Sequence, residues 1–106
     1  TALSFLLTLD DEAFRGYFSG SPIKRIGRNR FMRNVLIAAG NSGSEHLVPF
    51  VGRHLTDLDP VVRGAAIWAY FQLASKASFS QARRAASSEN DPTVLAAWAA
   101  GEGNPN

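Results

Sequence analysis

Lys24, Arg25, Arg28, Arg30 and Arg33 fall within ten residues, and no acid stands among them. Cations so close repel one another unless an anion or solvent relieves them, so the cluster strains a fold and suits a polyanionic partner. The chemistry on offer is phosphate binding. Nine of the eleven basic residues of the chain are arginine, whose planar fork favours bidentate phosphate contacts and stacking on bases. Arg30 and Arg33 stand three apart, and on a helix they share a face. Gly27 lets the chain before them approach another backbone closely. The bland alternative is a solvated basic linker with some arginines paired to nearby acids.

No other residue set adds up to a catalytic centre. Asp10, Asp11 and Glu12 are consecutive carboxylates, but helix capping and dipole complementation explain them. Ser21 and Ser44 have no His–acid arrangement nearby to activate them. His46 and His54 are eight apart without a third ligand, so no metal site is expected. The absence of cysteine excludes a disulfide framework, a thiolate zinc site and an iron–sulfur cluster within this chain. It also fits a reducing compartment, and a cytoplasmic location is expected. No apolar stretch reaches the roughly 18–20 residues that span a bilayer, and no membrane partner is expected.

A net charge of +2 hides an uneven distribution, because residues 13–33 carry six bases and no acid. The length suits one small domain. The chain opens on Thr1 inside what reads as an apolar helix (Leu3, Phe5, Leu6, Leu7, Leu9), so it is expected to be a piece of a longer protein.

Helix signals dominate, and no strand is needed. Asp10 or Asp11 caps a short helix through Phe14 and Phe18 that ends at Gly20-Ser21-Pro22. After the basic linker, a helix from about Asn29 carries Phe31, Val35 and Ala38/Ala39 on one side and stops at Gly40-Asn41. Ser44 caps the next, with Leu47, Val48, Val51 and Leu55 as its stripe and Pro49 as a kink unless it sits in the first turn. Asp59-Pro60 opens a helix to about Ala74, Ser78 starts another, and Asp91-Pro92 opens the last, which Gly101 ends.

Asp59-Pro60 and Asp91-Pro92 are each followed by x-Val and an alanine-rich stretch with a tryptophan. An uncapped third copy precedes them, since Arg33, Ile37 and Ala39 repeat the order and spacing of Arg63, Ile67 and Ala69. A period of roughly 30 residues, with two helices to the unit, describes an all-α fold, a short α-solenoid. Asp59 to Arg63 resembles a HEAT repeat, in which Arg63 braces neighbouring units through a carboxylate such as Asp57 or Asp59. Trp68 and Trp98 are expected in the core, and Arg83 and Arg84 on a solvated face. Asn34 and Asn41 fit turns, caps or RNA contacts equally.

The run from Leu3 to Gly43 carries more. Gly20-Ser21-Pro22-Ile23-Lys24-Arg25, Arg30-Phe31-Met32-Arg33-Asn34-Val35 and Ala39-Gly40-Asn41 resemble the C-terminal part of epoxyqueuosine reductase. That bacterial family completes queuosine synthesis on tRNA. The resemblance implies a larger oxidoreductase with a cobalamin-binding region and two 4Fe–4S clusters, whose HEAT-like tail helps hold the tRNA anticodon stem–loop. Residues 1–21 would be the trailing segment of the catalytic region, 22–100 the tRNA-binding module and 101–106 a disordered tail. Lys24, Arg25, Arg28, Arg30 and Arg33 would then contact RNA, with no catalytic residue in this chain. Two other functions stay open: a HEAT-repeat protein-interaction module, and a HEAT-like DNA-binding repair domain.

Overall fold

Side-chain caps set where most of the helices begin. In the computed structural model, which describes residues 2–103, every regular element is helical. A single turn, α1 (Leu3–Leu6), leads to α2 (Asp11–Tyr17), whose cap is Asp10 accepting from the Ala13 amide. The basic linker is ordered as a 3-10 turn, Pro22–Ile26, started by Ser21 accepting from the Ile23 amide. Gly27 follows at φ +84°, a backbone conformation that L side chains rarely adopt, and hands over to α3 (Arg28–Asn41).

Between α3 and the next long helix the chain is a broken helix: a 3-10 turn at Glu45–Leu47, α4 (Val48–Gly52), and another 3-10 turn at Arg53–Thr56. Pro49 explains the break. It occupies the first turn of α4, where its missing N–H is tolerated, so the residues before it cannot continue the same ladder. Ser44 makes no side-chain cap there. The Asp-Pro pairs behave as read: Asp59 caps α5 (Pro60–Leu73) through the Val62 amide, and Asp91 caps α7 (Pro92–Glu102) through the Thr93 and Val94 amides. The cap of α6 (Lys76–Ala85) is Ser75, not Ser78, whose amide it binds.

α3, α5 and α7 begin at residues 28, 60 and 92, and α5 packs extensively against both of the others. Burial repeats with them. Val62 and Ala66 of α5 correspond to Val94 and Trp98 of α7, in step with the two helix starts. Met32, Leu36 and Ala39 of α3 correspond to Val62, Ala66 and Ala69 at a spacing two shorter. α3 thus carries two extra residues at its start. One core joins Leu7, Leu9 and Phe14 to buried residues of α3, α4 and α5. Phe14, Phe18 and Phe31 seal it with ring centroids 5.0–5.2 Å apart. No packing boundary therefore falls at residue 21. A second core gathers Ile67, Phe79, Val94 and Trp98. Each fully buried Leu36 or Val62 is worth about 1.5–3 kcal/mol. The molecule measures 46 × 28 × 17 Å, and its short axis matches about two helix layers 8–10 Å apart.

α3 ends at Asn41 and α7 at Glu102, at or within one residue of the expected stops, but Gly40 and Gly101 are themselves helical and packed. Gly40 is buried in α3, and the chain turns instead at Gly43, φ +71°. A β-carbon at 40 would stand 2.5 Å from the Trp68 ring and 3.1 Å from the Ala69 Cα. Gly101 lies in α7 against Phe79 and Phe71 in the same way. Gly101 and Glu102 are thus helical, Gly103 is the C-cap of α7, and the remaining residues of the expected tail, 104–106, lie outside the described residues.

Gly40→Ala should lower stability by about 1–3 kcal/mol through overpacking. Gly64→Ala, where nothing stands within 4 Å, should raise it by about 0.5–1 kcal/mol. Urea unfolding midpoints of the two variants check both signs.

Candidate nucleic-acid interface

The linkers leading to α5 and α7 each place an acid three residues before the helix starts. Asp57 precedes Pro60, and Glu89 precedes Pro92. Both carboxylates accept the amide two residues on, from Asp59 at 2.9 Å and Asp91 at 3.0 Å. Both also receive an arginine from the preceding long helix. Arg28 of α3 meets Asp57 at 2.8 Å, and Arg63 of α5 forks onto Glu89 at 2.8 and 3.1 Å. Arg63 further donates to the carbonyls of Asp57 and Leu58. The expected brace at Arg63 exists, but its carboxylate is Glu89. The Arg63 guanidinium, with help from nearby amides, holds the Glu89 carboxyl below its ordinary value.

Of the five clustered cations, Arg28 is therefore the one turned inward. Its side chain is 13% exposed, and beyond Asp57 it donates to Asn29 Oδ1 and, at 3.4 Å, to the Leu9 carbonyl. Helical position explains this: Arg28 opens α3 beside the Asp57 linker, whereas Arg30 and Arg33 lie further along it. Arg28 is thus held by Asp57 and does not join the outward display of the other four. Lys24, Arg25, Arg30 and Arg33 are all exposed, and none of them pairs with an acid among the described residues. They form two clusters. Lys24 and Arg25 line one shallow depression with Gly20, Ser21 and Pro22. Arg30 and Arg33 line another with Asn29, Asn34, Asp59 and Val61. Asp59 is the acid in that second depression, and its carboxylate already caps α5.

Elsewhere three arginines are engaged, while Lys76 is exposed on α6. Arg15 pairs with Asp11 at 3.1 Å, and Arg83 reaches Glu102 at 3.4 Å beside the Trp98 ring. Arg53 sits over the Phe50 ring. Arg84 is exposed on α6.

Two features escaped the residue pattern. Trp98 is 1% exposed, but Trp68 is 38% exposed and edges a groove of about 430 Å³ that also holds Arg33, Ile37, Val61 and Ala97. The arithmetic was available in the chain. Trp68 stands nine residues after Asp59 and Trp98 seven after Asp91, and two residues turn a helix by about 200°. The other feature is His54, which is buried with Nε2 2.7 Å from the Leu7 carbonyl. A carbonyl only accepts, so the ring proton is on Nε2, and Nδ1 faces Asp57 Oδ1 at 3.8 Å. Burial pushes the ring below its ordinary value of 6.5, helped by Arg28 and opposed by Leu7 and Asp57.

Comparison with models of protein families, with curated proteins and with solved structures found no match to this chain.

Arg28→Ala removes a nearly buried ionic hydrogen bond and should cost about 1.5–3 kcal/mol. Arg30→Ala should stay within about 0.5 kcal/mol of the parent. Chemical denaturation of both distinguishes the inward arginine from the outward one. The His54 contribution has its own pH window. In the unfolded chain the ring takes up a proton near its ordinary value, whereas the folded state resists protonation. Stability tied to this residue is complete above pH 6.5 and is lost as pH falls below it. Urea midpoints at successive pH values should show that decline, and His54→Gln should flatten it.

Proposed function

We propose that this chain is the tRNA-holding module of an epoxyqueuosine-reductase-like enzyme, built as a short α-solenoid of HEAT-like repeats. What carries the reading is the display of Lys24, Arg25, Arg30 and Arg33 outward without acid partners, inside the motif that resembles that family. Repeated helix starts at 28, 60 and 92, and the acid–arginine brace of successive linkers, support the repeat reading. A rigid 3-10 turn and α3 present the cations, so little order has to be gained when phosphates arrive.

In this mechanism the module positions and does not react. Arginine and lysine contacts to the phosphates of the anticodon stem–loop set its register and orientation, and carry little sequence information. Discrimination comes from loop shape and from bases read elsewhere. The resemblance also implies cobalamin and two 4Fe–4S clusters in the parent enzyme. The donor set here does not fit a cluster, because none of the 106 residues is cysteine. No chemical step is assigned to this chain.

Titration of tRNA and of duplex DNA at two salt concentrations tests the proposal. tRNA should bind more tightly than duplex DNA. Its affinity should fall with salt at a slope of about −0.7 to −0.9 per phosphate engaged. Reversing charge at Arg30 and Arg33 together should reduce tRNA affinity more than tenfold and flatten the slope by roughly 1.5. Equal tRNA binding by parent and reversed chains refutes the site, and a preference for duplex DNA refutes the partner.

A further inference from the structure

The basic depression and the apolar groove beside it are one continuous surface. Arg33 and Val61 line both. On one side lie Arg30, Asn29, Asn34 and Asp59, whose carboxylate caps α5; on the other, Trp68 lines the groove with the small residues Gly64, Ala65 and Ala97. The indole is pinned, because its six-membered ring lies directly on Gly40. The groove volume of about 430 Å³ falls within the ~300–1,000 Å³ of small-ligand sites.

We infer that this groove receives one unstacked nucleotide of a single-stranded RNA, its base on the Trp68 indole and its adjoining phosphate on Arg33. This inference rests on the RNA-binding reading above and adds a base-stacking element to it. The occupant follows from charge complementarity. A nucleotide joins a flat π face to an anion one sugar away, and the surface joins an exposed indole to a guanidinium that has no acid partner. An apolar peptide helix would cover Trp68 and leave Arg33 desolvated beside it. A duplex keeps its base faces stacked away, so the strand has to be single or locally opened. Stacking of this kind tolerates any base, which suits a holding module.

The 106-residue chain labelled with 5-fluorotryptophan gives separate fluorine NMR signals for Trp68 and Trp98, assigned by Trp68→Phe. Oligouridylate should move the Trp68 signal and leave that of Trp98 in place, while an abasic ribose-phosphate chain should move neither. Trp68→Leu keeps apolar bulk against Gly40 and removes the π face. It should weaken oligouridylate binding roughly tenfold and leave abasic-chain binding unchanged, whereas Trp68→Phe should retain most of the affinity. Thermal melts of both variants identify any loss of fold. Unchanged oligouridylate affinity in Trp68→Leu, with the Trp68 signal static, overturns the nucleotide pocket. If charge reversal at Arg30 and Arg33 still abolishes binding in that case, the phosphate grip stands without it. Failure of every RNA to bind overturns both readings. A Trp68 signal that responds only to an apolar helical peptide assigns the groove to a protein partner instead.

Discussion

A carboxylate that serves two masters organises this molecule. Asp57 and Glu89 each tie their own loop by accepting an amide, and each anchors an arginine from the long helix before it. The loop and the helix are thereby fixed to one another at the point where the next long helix starts. An ion pair with so little solvent exposure is a poor source of net stability, since desolvation offsets most of the attraction. Its value is geometric. It ties the start of α5 to α3 and the start of α7 to α5.

That geometry also decides which arginines face outward. By burial register Arg33 is the counterpart of Arg63, yet the first linker acid is already bound to Arg28. With Asp57 committed, Arg33 stays on the surface beside Arg30. The two-residue extension at the start of α3 is what supplies the substitute arginine. A cationic surface here is thus a by-product of how the start of α3 differs from that of α5. Gly27, at positive φ, lies between the residues of the two depressions and interrupts the helical path from the 3-10 turn to α3.

Much of the helical layout was legible because its signals are local. Asp59-Pro60 and Asp91-Pro92 combine a carboxylate cap with a residue that fits only the first turn, and both define helix starts. Ser75 was overlooked in favour of Ser78 because both precede the same alanine-rich run, and only the hydrogen bond between them identifies the cap. Gly40 and Gly101 marked the ends of α3 and α7 to within a residue, but their packing role was hidden. A glycine at a helix end reads as a stop, but here each lacks a side chain so that an aromatic ring can lie against the helix. The candidate site was readable as a cluster of cations and no further. Which cation turns inward depends on Asp57, an acid far along the chain from all five. The exposure of Trp68 depends on counting from the cap rather than matching tryptophan to tryptophan.

The contact between Gly40 and the Trp68 ring makes positions 40 and 68 a single steric unit shared by two helices. Volume added at one must be surrendered at the other, so the pair has to be inherited together. A methyl group added to α3 here is relieved only by displacing the indole or by moving the two helices apart, so the outer face of α5 and the spacing of α3 and α5 are set by the same contact.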